Sequence, residues 1–327
     1  MKRFSCFLLS VALLLFSSTL TGCASRKNEA LRLGLGLYTS AEATNATEDR
    51  NGLGDVAVTG AAVLLDGKNK IVSCVLDCAE HQISYTADGK TSVNDSFLTK
   101  REQGDSYGMK AHGGALLEWY EQADAFCMLV KGKMIEEVKA LVSSDGKGTD
   151  EVIRAGCTIS VSDFVKAIEK AAANAAPTEA ATKDTLRLGA ATIQKMGDAT
   201  ASTNGTNQLE TTFFAATTDK NGKITSACSD CAEIEFAFDI NGVSQNEGKW
   251  IVSSKKDAGD AYGMKLYGGA ALEWYEQARV FDNACIGKTA SNISSLLGSD
   301  GYGSSELTAS GCTISVSGFI KAASKIG

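Results

Sequence analysis

Hydrophobic and β-branched positions alternate with polar ones along three stretches of the first half, Leu31 to Thr47, Asp55 to Leu65 and Ile71 to Thr86. A period of two predicts half-buried strands, and Asp66-Gly67 and Asp88-Gly89 supply turn chemistry at their ends. The period then changes. Leu116, Tyr120, Ala123 and Cys127 share one helical stripe, with Trp119, Phe126 and Val130 beside it, which predicts an amphipathic helix over Gly114 to Val130. A shorter helix is expected over Met134 to Val142. Ser160 with Asp163 three residues on reads as a capping box opening a last helix that runs to about Ala173. Antiparallel strands followed by helices give the α+β class.

The whole pattern returns. At a shift of 155 residues, Leu31-Arg32-Leu33-Gly34 meets Leu186-Arg187-Leu188-Gly189, and Leu117-Glu118-Trp119-Tyr120-Glu121-Gln122-Ala123 meets Leu272-Glu273-Trp274-Tyr275-Glu276-Gln277-Ala278. Tyr107-Gly108-Met109-Lys110 recurs as Tyr262-Gly263-Met264-Lys265, and Gly156-Cys157-Thr158-Ile159-Ser160 as Gly311-Cys312-Thr313-Ile314-Ser315. The second set of strands reads as Leu209 to Thr218 and Ile224 to Asp239, with a turn at Asn221-Gly222. Such self-similarity predicts a tandem duplication, with repeats over 31–170 and 184–327 joined by an Ala-rich link over 171–183 that holds Pro177, the one proline of the chain. Each repeat, at about 140 residues, is long enough for its own core.

The first residues give an address. Met1-Lys2-Arg3 precedes an apolar run to Leu20, the pattern of a signal peptide over 1–22. Leu20-Thr21-Gly22-Cys23 resembles the bacterial lipoprotein signal, which implies diacylglyceryl on Cys23 and a tether over 23–30. The expected location is therefore the outer face of the cytoplasmic membrane, and the first partner is that membrane. The 32 Lys and Arg against 39 Asp and Glu give a net charge of −7, and loss of Lys2 and Arg3 leaves 30 against 39. An acidic surface repels phosphate backbones, so nucleic acid is not an expected partner.

Only His81 and His112 are present, and opposite them the second repeat carries Ile234 and Tyr267, so histidine chemistry cannot be common to both halves. Eight cysteines follow Cys23, four per repeat: Cys74, Cys78, Cys127 and Cys157, then Cys228, Cys231, Cys285 and Cys312. An even count outside the cytoplasm favours disulfides. Cys127 and Cys285 sit about one turn apart on one helix face, which suits bonds to Cys157 and Cys312. Cys74 with Cys78 would span about 13 Å along a strand and could pair only if the chain bends; Cys228-x-x-Cys231 is alternatively a redox pair, and each set of four a zinc site.

Glu118 with Glu121 and Glu273 with Glu276 lie one turn apart, as a solvated face or a shared cation site. Ser144-Asp145-Gly146 and Ser299-Asp300-Gly301 are Gly-rich turns that lack the alternating carboxylates of a calcium loop. Ala155-Gly156-Cys157-Thr158 and Ser310-Gly311-Cys312-Thr313 resemble the Ser-Gly-Ala-Thr motif of the FMN-binding domain family of bacterial envelope proteins. That resemblance implies FMN esterified to Thr158 and Thr313, with Gly156 and Gly311 in the turn. Tyr107, Trp119, Tyr262 and Trp274 are then either stacking partners or core. The family's Asp three residues before its Ser is Val152 or Leu307 here. The Tyr-Gly-Met-Lys and Glu-Trp-Tyr-Glu-Gln segments resemble tandem-repeat lipoproteins of Gram-positive anaerobes, a likeness that brings no activity with it. With no catalytic or metal constellation present in both repeats, the expected function is a non-catalytic binding or structural module acting on an envelope protein or small ligand without a cofactor; the alternative is an FMN-carrying electron-transfer lipoprotein.

Overall fold

The computed structural model describes residues 30–94 and 96–327. The expected signal peptide, Cys23 and the tether up to residue 29 lie outside the described residues. The class is α+β. Strands β1 (Arg32–Thr44), β2 (Gly52–Leu65) and β3 (Ile71–Tyr85) form an antiparallel meander. Six helices follow, namely α1 (Lys100–Gln103), α2 (Met109–Gly113), α3 (Trp119–Val130), α4 (Ile135–Lys139), α5 (Asp150–Arg154) and α6 (Ser162–Ala173). After a two-residue β4 (Ala176–Pro177) the order repeats as a second meander of β5 (Thr185–Gly197), β6 (Gly205–Thr218) and β7 (Ile224–Phe238). A further strand, β8 (Gly248–Val252), precedes α7 (Lys255–Ala258), α8 (Trp274–Cys285), α9 (Ser305–Ala309) and α10 (Ser317–Ala323).

The two meanders pack face to face, β1 against β7 and β3 against β5, with the helices on the outer faces. Three apolar clusters result. The middle one joins the sheets through Leu35, Leu37, Val56 and Val58 from the first and Leu209, Phe213, Phe236 and Phe238 from the second. The outer ones lie under α3 and α6 and under α8 and α10. Burial along β2 follows from this: its first residues alternate, where only the inner face is covered, and from Val58 to Leu65 every residue is buried between helices and the facing sheet. Each half thus has an outer core, and the halves share the inner one.

Close approach explains several glycines. A Cβ on Gly60 would sit 2.4 Å from the Phe213 ring, and one on Gly54 2.6 Å from Phe236. On the outer face, a Cβ on Gly36 would stand 2.4 Å from the Ala167 carbonyl of α6, and one on Gly189 2.2 Å from that of Ala322 in α10. Gly36, not the Gly34 paired with it at a shift of 155, is therefore the structural counterpart of Gly189. Along the strands the shift is 153, a two-residue slip that leaves every side chain on its face.

The halves also exchange segments. β8, from the second half, adds antiparallel to β1 from Thr39↔Val252 to Ala43↔Gly248. In return Asn94 donates its backbone N–H to Gln194 of β5 at 2.9 Å, whose amide donates to the Ser92 carbonyl at 3.2 Å. Residues 171–183 hold the end of α6 and β4, which pairs with Arg32 and Leu33.

Two helix starts differ from expectation. α3 begins at Trp119 rather than Gly114, because Gly114 is left-handed (φ +66°) and Glu118 closes a capping box with Glu121. α6 begins at Ser162: the Ser160 hydroxyl donates to the Gly146 carbonyl at 2.9 Å and leaves Val161 as N-cap.

Candidate functional site

The motifs shared by the two halves converge at the start of α3 and of α8. The Gln122 side-chain oxygen accepts from the Thr158 backbone N–H at 2.8 Å and from its hydroxyl at 3.0 Å, while its amide donates to the Leu117 carbonyl at 3.0 Å. Gln277 holds Thr313 in the same way, at 2.7 and 3.0 Å, and donates to Leu272. Both glutamines are buried. Each Gly-Cys-Thr turn passes through a left-handed glycine, Gly156 (φ +103°) or Gly311 (φ +105°), which only glycine adopts without strain. The cysteines point inward and the threonines remain exposed, Thr313 at the rim of a concavity with Asp300, Tyr302 and Thr308. Val152 and Leu307, where the FMN-binding family has Asp, are buried in the outer cores.

Glu118 and Glu273 are not on a solvated face. Each is buried, and its carboxylate accepts the backbone N–H groups of Met109 and Lys110, or of Met264 and Lys265, at 2.9 and 3.0 Å. This pins the Tyr-Gly-Met-Lys turn to the helix start. Glu121 and Glu276 pair instead with Lys110 (3.4 Å) and Lys265 (2.6 Å) at the surface.

Trp119 and Trp274 are core, against Phe164 and Phe319 at ring separations of 5.6 Å. Above each lies a lysine. Lys100 sits 5.1 Å from the Tyr107 ring and 5.8 Å from that of Trp119 and pairs with Glu80 at 3.0 Å. Lys255 sits 5.4 Å from Tyr262 and 5.8 Å from Trp274 and pairs with Glu233 at 2.6 Å. The desolvation cost of each ammonium is offset by carboxylate and aromatic faces together.

Those lysines point to a repeat that a search at 155 misses, Asp77-Cys78-Ala79-Glu80 with Asp230-Cys231-Ala232-Glu233 at a shift of 153. Asp77 and Asp230 are buried, and each accepts the next residue's N–H at 2.7 Å and a second from Arg101 (3.2 Å) or Lys256 (3.1 Å). Burial pushes both carboxyls up to about 6, as it does Asp282, which accepts from the Ser229 N–H and hydroxyl.

All eight cysteines among the described residues are free thiols, and all but half-buried Cys228 are buried. Desolvation raises Cys78 and Cys228 to about 12 and Cys157 and Cys312 to about 11, the opposite of an activated thiol. The two close spacings are corrected by strand geometry. Cys228 packs toward the inner core and Cys231 toward the outer, on opposite faces of β7, so they cannot bond to each other. Cys74 and Cys78 share a face of unbroken β3, four residues apart and beyond disulfide reach. The thiol that Cys74 meets is Cys127.

His81 is buried between the sheets, its Nε2 3.0 Å from the Thr192 hydroxyl and its ring edge-on to Phe97, and burial lowers its pKa to about 4. His112 is exposed. Asp145 spends its carboxylate on the Ser143 hydroxyl (2.6 Å) and the Lys147 N–H (3.1 Å), closing a turn at Gly146. Among the described residues no group of three or more His, Cys, Asp or Glu is placed to share a metal ion, and no helix is long and apolar enough to cross a membrane.

No family model and no solved structure matches the chain. It is similar to a protein of Desulfitobacterium hafniense described as chlorophenol reductase, 33% identical over 95 residues that cover 25% of this chain and 29% of that protein. The chain thus spans under a third of that relative's length.

Proposed function

We propose that this chain is a lipid-anchored extracytoplasmic protein whose two halves form a rigid, non-catalytic binding or structural module at the outer face of the cytoplasmic membrane. The observation that carries this reading is that the buried polar groups shared by both halves spend their capacity inside the protein. Glu118 and Glu273 are taken by backbone amides and Gln122 and Gln277 by the threonine turns. A catalytic group needs a free lone pair or proton facing a reactant. The anchor rests on the basic start, the apolar run and Leu20-Thr21-Gly22-Cys23.

A second reading, an electron carrier with FMN on Thr158 and Thr313, is favoured by the exposure of both threonines and by partial similarity to a protein described as a reductase. The surroundings fit it poorly, since each hydroxyl already donates to a glutamine and the carboxylate position is apolar core. Peptide-resolved mass spectrometry of protein from its native host separates the two. Diacylglyceryl on Cys23 with unmodified threonines is the expected result; a flavin-phosphate mass on Thr158 or Thr313 overturns the first reading in favour of the second.

A further inference from the structure

We propose that Cys74 on β3 and Cys127 on α3 are an oxidisable pair that closes a disulfide between sheet and helix in the first half alone. Both side chains belong to the outer core under α3, and Cys127 is the neighbour that raises the Cys74 thiol most. Arg101 spans the same gap: its guanidinium donates to the Leu76 carbonyl at 3.0 Å, two residues from Cys74, and to Asp124 at 2.8 Å, one turn from Cys127. That clamp fixes the separation of strand and helix at the level of the sulfurs; the neighbouring Cys127 thiol and burial hold Cys74 well above the ordinary thiol range, the Arg101 charge offsets this only in part, and exchange runs through a small thiolate fraction.

The second half shows what this position does. Ala227 and Asp282 stand where Cys74 and Cys127 do, and Asp282 reaches across to β7 to accept the Ser229 hydroxyl at 2.7 Å and its N–H at 3.0 Å. In the second half the carboxylate thus ties the helix to Ser229, two residues beyond Ala227, where the first half has the Arg101 bridge to Leu76 and two free thiols beside it. β3 is the edge strand of its sheet, and the two thiols beside it are largely buried, Cys74 at 9% and Cys127 at 7% exposure.

The oxidant is a small disulfide, RSSR. The Cys74 thiolate attacks one of its sulfurs, forming a mixed disulfide and expelling RS⁻. The Cys127 thiolate then attacks the Cys74 sulfur and expels the second RS⁻. Both thiol protons end on the leaving thiolates, so two protein thiols and RSSR become one protein disulfide and two RSH.

The test is to incubate the folded full chain with oxidised glutathione, block remaining thiols, and map peptides without reduction. The expected result is one linkage, Cys74 to Cys127, with a mass loss of two hydrogens, absent from Cys74→Ala and present in Cys157→Ala. The oxidised wild type also melts several degrees above its reduced form, a gap that vanishes in Cys74→Ala. A Cys127–Cys157 linkage, glutathione adducts without an internal bond, or eight unreacted thiols would each overturn the proposal. If Cys74→Ala fails to fold, Cys127→Ser, which should likewise lose both the linkage and the melting gap, decides in its place.

Discussion

The shared inner core makes a quantitative prediction at Gly60 and Phe213, residues at the same place in the two meanders that meet across the sheets. A methyl on Gly60 would lie 2.4 Å from Cε1 and 2.5 Å from Cδ1 of Phe213. Carbon contacts settle near 3.5–4.0 Å, so the ring must retreat by about 1 Å. Overpacking of this size costs about 1–3 kcal/mol for Gly60→Ala, and truncating the fully buried ring in Phe213→Ala costs about 3–5 kcal/mol. The two changes compete for one volume. The methyl added by Gly60→Ala should enter the space the ring vacates, so the double variant should lose at least about 1 kcal/mol less than the two single losses together. Urea unfolding, followed by far-UV circular dichroism and by fluorescence of a variant retaining only Trp119, measures all four corners. Trp119 lies in the first half and Phe213 in the second, so the Trp119 signal should shift with Phe213→Ala. Additivity within about 0.5 kcal/mol, or a Trp119 transition indifferent to Phe213→Ala, would refute the shared core.

Stability should rise on mild acidification. Asp77, Asp230 and Asp282 have folded pKa values near 6, above their ordinary 3.8, so their contribution is fully present below pH 4 and is lost as pH rises through 6, by up to about 3 kcal/mol each. His81 opposes them: its folded value near 4 is below 6.5, so its contribution holds above 6.5 and fades as pH falls toward 4. Thermal melts between pH 7.5 and 4.5 should therefore show a gain on acidification that shrinks in Asp230→Asn and grows in His81→Ile; a flat profile in all three removes the argument. Glu118→Gln should cost about 2–3 kcal/mol, because its amide would face a backbone N–H that now has a carboxylate, and hydrogen exchange at Met109 or Lys110 should accelerate. Gly36→Ala should destabilise by about 1–3 kcal/mol by forcing α6 off β1, whereas Gly197→Ala, with open space around its Cβ and no left-handed backbone, should cost less; equal melting temperatures would show the close approach to be unimportant.

The α+β class was legible because strands and helices impose different periods, and the three strands of the first half begin and end within about three residues of the alternating stretches. The face-to-face packing was written more faintly. Its signal is the loss of alternation in Ala61-Ala62-Val63-Leu64-Leu65, a run apolar at every position because both faces are covered. In β6 the same signal is blurred, since buried threonines Thr211, Thr212 and Thr217 stand where the first half has apolar residues or Thr59. β8 was illegible for another reason: its burial alternates only weakly, and its partner β1 lies some two hundred residues earlier.

The site was half legible for a reason that bears on function. Identical stretches show which residues two halves share, but not whether they share them for chemistry or for shape. Glu118 reads with Glu121 as a solvated helix face, and Gln122 only as part of a repeated stretch, until the structure shows Glu118 and Gln122 each bound to main-chain groups of a loop it holds in place. A binding surface gains affinity from groups fixed before the partner arrives. The side chains these clamps leave exposed differ between the halves, with Leu116 on one turn and Leu266 and Tyr267 on the other. If the proposed binding module is correct, a common frame with unlike exposed loops would make two different contacts, and Leu116→Ser or Leu266→Ser with Tyr267→Ser should weaken capture of a partner without changing the melting temperature.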